Sequence, residues 1–440
     1  MKRSVIADPM RSALACWVAL ITCGAPGFAA IVAPAAVPTA APSAAAADFV
    51  VRDATVYTES PAGVLQHTDV WVHAGAIAGI GHALAVPAGA EVIDAHGRPL
   101  TPGLFGGLSD VGIDEVSEEP DTLDSTQNAK APAWDQQWRP EFDVTAAYNP
   151  RSVFVPVTRI EGVTWTVLAP SSGDAIIGGQ GAAVTLDGRF GAVLDGSASL
   201  FVQLGHDGAK RAGGTRAAES MLLDQAVSEA RGHAPPGPGS LLHAAGRETL
   251  ARYLGGGRVL FQVDRAADIL RAVDFARRNG MHPVIVGGDE AWVVAHELAA
   301  AGVPVILNPL DDLPEDFDRL AATLDNAARL HQAGVRIAFT SGDTQYARII
   351  RQLAGNAVAH GLPWDAALAA ITSTPADIFG VGTIRGRIAT GRSADVVLWS
   401  GDPLEVTTLA DRVWIDGRAI ELHSRQTELR DRYLGRLKPH

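Results

Sequence analysis

The stretch that decides the fold is ALAAITSTPADIFGVGTIRGRIATGRSADVVLWSGDPL, residues 367–404. It reads as a helix, a Thr-Pro-Ala-Asp break, a Gly-x-Ile step, Gly-x-x-Ala-Asp, a strand and a closing Gly-Asp-Pro. The strand, ADVVLWSG (394–401), is followed by a second β-like run, RVWIDGRAIEL (412–422). The same pattern stands at the other end of the chain. There FVVRDATVYT, DVWVHAGAIAGIG and AEVIDAHG alternate short apolar runs with glycine-marked turns over residues 49–100. Neither set is large enough for a core of its own. The simplest packing joins residues 48–100 and 389–423 in one small β-sandwich-like domain, with 424–440 as a C-terminal tail.

Residues 101–388 are then an insert between the two halves. Apolar strands are expected to end at WTVLAP (165–170), ASLFVQLG (198–205), RVLFQV (258–263), HPVIVGG (282–288), VPVILNP (303–309) and VRIAFTS (335–341). Helical stretches lie between them: ESMLLDQAVSEARG, AADILRAVDFARRNG, EAWVVAHELAAAG and FDRLAATLDNAARLHQAG. Several end in Gly, the usual C-terminal stop. Strands alternating with helices imply a parallel sheet, so the fold class is α/β, and the length favours a (β/α)8-type barrel. No G-x-G-x-x-G follows the first strand, which argues against a dinucleotide fold. GGQG (178–181) opens an apolar strand and not a helix, so it is a poor phosphate loop.

The 440 residues are 47% hydrophobic and 19% charged, which allows a large core and excludes wholesale disorder. The net charge of −13 repels phosphate backbones, so no nucleic-acid partner is expected. Residues 1–47 carry Lys2, Arg3 and Arg11, an apolar run from Ala13 to Cys23, and small-residue sites near Ala30 and Ala47. This reads as a Sec-type signal peptide with a Pro/Ala-rich leader, giving a periplasmic or secreted protein. A retained anchor is the competing reading, opposed by Gly24, Pro26 and Gly27. Leu20-Ile21-Thr22-Cys23 makes lipidation a second one. After signal removal no transmembrane anchor is expected. Both cysteines, Cys16 and Cys23, fall in the leader, so no disulfide, thiol nucleophile or Cys–zinc site is expected beyond it.

Three stretches together resemble the amidohydrolase superfamily, in its imidazolonepropionase-like branch: GRPLTPGLFGG (97–107), EGVTWTVLAPSSGDAIIGGQGAAV (161–184) and the opening stretch 367–404. The resemblance implies hydrolysis of non-peptide carbon–nitrogen bonds at the C-terminal ends of the barrel strands, with one or two divalent metals lowering the pKa of a water. It also implies where ligands stand: a His-x-His pair on the first strand, a Lys or Glu on the fourth, His on the fifth and sixth, and Asp on the eighth. This sequence departs at nearly all of them. The His-x-His positions hold Leu108 and Asp110. The fourth-strand position is Phe201, the fifth Gln262 or Asp264, and the sixth Gly287. The eighth-strand acid is Asp343, with Gly342 the competing position.

The remaining histidines do not rebuild the set, because ligands in a barrel must stand at strand C-terminal ends. Of thirteen, only His206, just after ASLFVQLG, is well placed, and a lone His is more often a surface or core residue than a ligand. Beyond residues 1–47, the lysines are Lys130, Lys210 and Lys438, none in an apolar strand. The strand ends do carry acids, namely Asp110, Asp174, Asp207, Asp264, Asp289 and Asp343, which would suit Mg²⁺, Ca²⁺ or Mn²⁺. Asp264, Asp289 and Asp343 each also stand where an N-cap is wanted. The Trp-rich APAWDQQWRPEFD (131–143) reads either as a lid over the mouth or as plain packing.

The site expected from the sequence is therefore Asp343 as general base, with Asp110, His206, Gln262 and Asp264 lining a substrate pocket. No metal ligand set and no cofactor are expected, an oxygen-ligated divalent metal being the one such chemistry the acids admit. The expected partner is a small-molecule ligand or substrate. A homo-oligomer, or a complex with an active relative, is the macromolecular alternative. Three functions stay open: a hydrolase with an altered site, an inactive ligand-binding pseudoenzyme, and a structural partner of an active amidohydrolase.

Overall fold

The computed structural model describes residues 48–85, 87–116, 119–126, 138–171, 173, 175–341 and 344–437. Residues 1–47, Asp174, Gly342 and Asp343 lie outside the described residues. Five strands come first: β1 (Phe49–Tyr57), β2 (Val64–His73), β3 (Ala76–Gly81), β4 (Glu91–Asp94) and β5 (Pro99–Pro102). Then follow β6 (Leu104–Ser109), β7 (Val163–Leu168), β8 (Ile177–Gly181), β9 (Ala183–Thr185), β10 (Ser199–Gln203), β11 (Arg258–Val263), β12 (His282–Gly287), β13 (Val305–Leu307) and β14 (Ile337–Phe339). The chain returns through β15 (Val396–Trp399), β16 (Ala410–Ile415) and β17 (Arg418–Ala419).

Strands from the two ends of the described chain share one sheet, in the order β17-β16-β15-β5-β1-β2-β3, with β4 paired to β1. Strand periodicity explains how β15 serves two cores at once. Val396 and Leu398 pack with Phe49, Ile77 and Leu100, while Val397 and Trp399 face the larger core of the central segment. Phe49 and Trp414 stack across the sheet at 4.8 Å. The opening stretch is held by its own charges. Arg385 binds Asp395 within it and reaches Asp416 at 2.9 Å, and the Asp416 N–H donates to Asp395 Oδ1 at 2.7 Å. With the pair almost fully buried, either partner alone would be a costly uncompensated charge.

The central strands form two arcs. One runs β14-β13-β12-β11-β10-β8, parallel throughout except that β8 is antiparallel to β10; the other runs β6-β7-β9. Ladder bonds do not join the arcs into a closed ring among the described residues, but the arcs meet at both ends. Ala182 connects β8 to β9, and the Leu168 N–H donates to its carbonyl at 3.0 Å, extending the β7–β9 ladder. At the other seam, Thr340 Oγ1 accepts from the Leu108 N–H at 3.0 Å and reaches Leu108 O at 3.3 Å. Gly107 permits that approach. Its φ is +81°, and a Cβ there would stand 3.0 Å from Thr340 Cα.

Helix Ala266–Asn279 ends on Gly280 and helix Ala295–Ala301 on Gly302, both left-handed, as the sequence pattern predicts. The expected helix over FDRLAATLDNAARLHQAG is largely absent. Only Asn326–Gln332 is α-helical. Upstream, side chains bind nearby backbone and so compete with the helix ladder: the Asp318 N–H donates to Asp316 Oδ1 at 2.7 Å and the Asp325 N–H to Thr323 Oγ1 at 3.3 Å. The expected tail contains a helix, Arg425–Leu437. Among the described residues, no helix is long and apolar enough to cross a membrane.

Candidate functional site

At the C-terminal ends of the parallel strands lies a cavity of about 420 Å³. Its floor is apolar, from Leu108 (β6), Phe201 (β10), Leu260 (β11) and Val286 (β12). Its polar groups are Gln262 and Asp264 from the end of β11, Asn308 after β13, Asp311, Glu315 and Arg319 from the segment that follows, and Thr340 and Ser341 after β14. Strand geometry puts Gln262 here. It alternates with buried Phe261 and Val263, so its side chain points to the opposite face.

The electrostatic centre is Arg319. Its Nη2 lies 3.2 Å from Asp264 Oδ2, its Nε 3.4 Å from Asp289 Oδ2 and 3.9 Å from Asp316 Oδ2, and its Nη1 3.5 Å from Glu315 Oε2. One guanidinium is shared among four carboxylates. Asp289 is only 3% exposed, and its Oδ2 accepts no hydrogen bond. Burial pushes the Asp264 carboxyl up to about 6, against the pull of Arg319 and of the Gly288 and Asp289 N–H groups. Burial, then the neighbouring Asp264 charge, pushes Asp289 up to about 7. Asp311 is also raised by burial, although the Asn308 side-chain amide donates to it at 2.7 Å. Carboxyls that release their protons near neutral pH are suited to acid–base work.

Backbone conformation makes this arrangement. β12 ends in Gly287 and Gly288, both left-handed, at φ +81° and +67°. A Cβ on Gly287 would stand 2.3 Å from Asp264 Oδ1. The absence of a side chain at 287 is thus what seats the Asp264 carboxylate. The N-cap alternative for Asp264 and Asp289 is corrected by these contacts. Helix Ala266–Asn279 is preceded by Arg265 with no side-chain cap, and the Ala266 N–H donates instead to Glu290 Oε2 at 3.0 Å. The short 3-10 turn Ala291–Val294 is preceded by Glu290, again without a side-chain cap.

Of the residues expected from sequence, Gln262 and Asp264 line the cavity together. Leu108, Phe201 and Gly287, where the resemblance put metal ligands, line it as well. Asp110 is half-buried just beyond β6, where its carbonyl accepts from the N–H groups of Ile113 and Asp114; it is not among the lining residues. His206 is exposed on the short helix Gly205–Arg211, with its N–H bound to Asp318 Oδ2 at 2.7 Å, and it too stands away from the lining. Of the Trp-rich segment, residues 131–137 lie outside the described residues, while Trp138 is buried with Leu242 in the main core, as packing. Sequence reasoning missed Arg319, Asn308 and Asp311. Arg319 was hidden in an over-extended helix; the signal available was one cation among five acids between 311 and 319.

Residues 211–420 match the model of the amidohydrolase family. The match spans just under half of the chain, so it shows a likeness to that family over those residues. The matched part holds β11 to β16, and with them Gln262, Asp264, Asp289 and Arg319. A 60-residue stretch is 50% identical to amidohydrolase tasK of Hapsidospora irregularis, covering 14% of this chain and 6% of that protein. Among solved structures, an amidohydrolase from Thermotoga maritima MSB8 superposes with a TM-score of 0.75 at 23% identity, covering 85% of this chain and 99% of that one. A prolidase complexed with N-methylphosphonate-L-proline gives 0.54 at 16% identity (85% and 99% covered), and molinate hydrolase 0.52 at 15% (86% and 96%). At these identities the likenesses show the fold.

Proposed function

We propose that this chain is an exported amidohydrolase-type hydrolase of non-peptide carbon–nitrogen bonds in small molecules, with its substrate seated in the 420 Å³ cavity. The observation that carries the reading is the position of that cavity. It opens at the strand ends, in a fold shared with amidohydrolases, and its lining includes Leu108, Phe201, Gln262, Asp264 and Gly287, the positions to which the sequence resemblance assigns the family's ligands. We also read the central strands as a (β/α)8-type barrel and the shared end sheet as its accessory domain.

The residues present do not fit the divalent metal that the family implies. Leu108, Phe201 and Gly287 offer no side-chain donor, Gln262 offers one neutral amide oxygen, and Asp264 faces Arg319. Among the described residues no three His, Cys, Asp or Glu groups converge to hold an ion. The chemistry is therefore assigned to the chain's own acids. Asp343 is the general base that the family resemblance implies, and Asp264 is the second carboxylate able to take a proton from water near neutral pH. The water oxygen attacks the substrate carbonyl carbon, the carbon–nitrogen bond breaks, and the amine leaves with the proton. Gln262 and the hydroxyls of Thr340 and Ser341 orient the substrate. Three lining carboxylates against one guanidinium favour a neutral or cationic substrate over an anionic one.

The test is hydrolysis of a panel of small amides, lactams and carbamates by the purified chain. Asp343→Asn and Asp264→Asn are each expected to reduce turnover at least a hundredfold, on the order of a lost general base. Leu108→Trp, which fills the floor, is expected to abolish it. Turnover unchanged in all three variants would remove the cavity from the mechanism, and tight ligand binding with no turnover would make the chain a pseudoenzyme.

A further inference from the structure

Two exposed apolar surfaces stand on this chain, and they carry opposite charge. The first is the segment between β13 and helix Asn326–Gln332. Leu310, Leu313, Phe317 and Leu320 are exposed there, Phe317 by 86%. Asp312 and Glu315 are exposed among them and Asp316 is half-buried, with Arg319 the cation of the segment; Asp311 lines the cavity and Asp318 is buried against Arg216. Scattered apolar side chains are ordinary on a surface, but four large ones within eleven residues mark a contact site.

The second surface is helix Arg425–Leu437. Its start is fixed locally: the Ser424 N–H donates to Thr427 Oγ1 at 2.8 Å and the Thr427 N–H to Ser424 Oγ at 3.3 Å. From Arg425 to Arg436 every residue is exposed except half-buried Thr427. Leu429 and Tyr433, four residues apart, share one side, and Leu434 stands about 100° round the helix from Tyr433. Arg425, Arg430, Arg432 and Arg436 outnumber Glu428 and Asp431. A helix of 13 residues with no packed face is marginal in water, since helical stability comes mainly from burying such a face.

The geometry points to self-association: the C-terminal helix of a second copy of this chain docks on residues 310–320. Charge complementarity selects that occupant. The segment is acidic between its apolar side chains, and the helix is basic around its own. Within one copy both surfaces are exposed, so they do not satisfy each other there. Leu429 and Tyr433 then cover Leu313 and Phe317, and the arginines face Asp312 and its neighbours. The docked helix also sits at the rim of the cavity, because Asp311, Glu315 and Arg319 of the same segment line it.

Light scattering on the full chain after size-exclusion chromatography, from 1 to 100 μM, reads the outcome. Mass is expected to rise above that of the monomer with concentration and to fall back in high salt. Phe317→Ser with Leu313→Ser, which changes only exposed side chains, is expected to weaken association at least tenfold, as is deletion of residues 425–440. Asp312→Lys and Arg432→Glu are each expected to weaken it about tenfold, and an equimolar mixture of the two to recover most of the loss. A monomer at 100 μM, or association unchanged by the Phe317 and deletion variants, overturns the proposal. So does association that vanishes only when residues 1–47 are removed, since the leader would then be the occupant.

Discussion

Asp289 makes the most exacting test of the charge arrangement at the cavity. Its carboxyl is buried, shares Arg319 with Asp264, and is raised to about 7 from 3.8. Between those two pH values the folded chain holds the proton and the unfolded chain does not. Stability must therefore fall as pH rises through that window, at about 1.4 kcal/mol for each pH unit. Two such units lie between pH 5 and pH 7, so the group removes ~3 kcal/mol of stability on going from pH 5 to pH 8. Asp289→Asn has no proton to lose. Urea unfolding of both proteins at pH 5 and pH 8 should show the variant gaining about 3 kcal/mol relative to wild type at the higher pH. A variant whose stability relative to wild type is the same at both pH values would refute the burial argument and, with it, the acid–base role given to this cluster.

Three further outcomes follow from neighbouring contacts. Arg319→Met leaves Asp264 and Asp289 without their shared cation and should destabilise by roughly 3–5 kcal/mol at pH 8 and clearly less at pH 5, read from the same urea midpoints. Gly287→Ala puts a Cβ against Asp264 Oδ1 at a left-handed φ, and should cost about 2–4 kcal/mol from backbone strain and loss of the carboxylate's seat. Its pH–rate profile should also lose the step near pH 6. Thr340→Val removes the hydroxyl that joins β14 to β6 and leaves the Leu108 N–H without its partner; the expected cost is about 1–3 kcal/mol, with faster hydrogen exchange at Leu108.

Much of the fold was legible because its signals are local. The apolar runs at WTVLAP, RVLFQV and HPVIVGG become β7, β11 and β12, and Gly280 and Gly302 stop their helices where the sequence says they should. The failures share a cause of the opposite kind. Asp264 and Asp289 looked like N-caps because each precedes a helical stretch, yet their partner is Arg319, thirty or more positions away. The segment 317–325 has helical spacing, but Asp316 and Thr323 bind nearby backbone and open it into a rim. His206 satisfied a rule about strand ends and still faces solvent, because the helix turn that follows β10 carries it outward. Gln262 and Asp264 were found because the resemblance put the family's fifth-strand ligand on one or the other, and strand alternation is what turns Gln262 away from buried Phe261 and Val263.

The central claim is that this cavity hydrolyses small carbon–nitrogen substrates with its own acids. The most direct measurement is turnover of a small amide or lactam substrate by the purified chain before and after exhaustive chelation, with metal content read by mass spectrometry on the same samples. The account predicts turnover retained at less than a tenth of an equivalent of bound metal, with a pH–rate step near 6 that Asp264→Asn removes. Turnover lost on chelation and restored by one equivalent of zinc would contradict it.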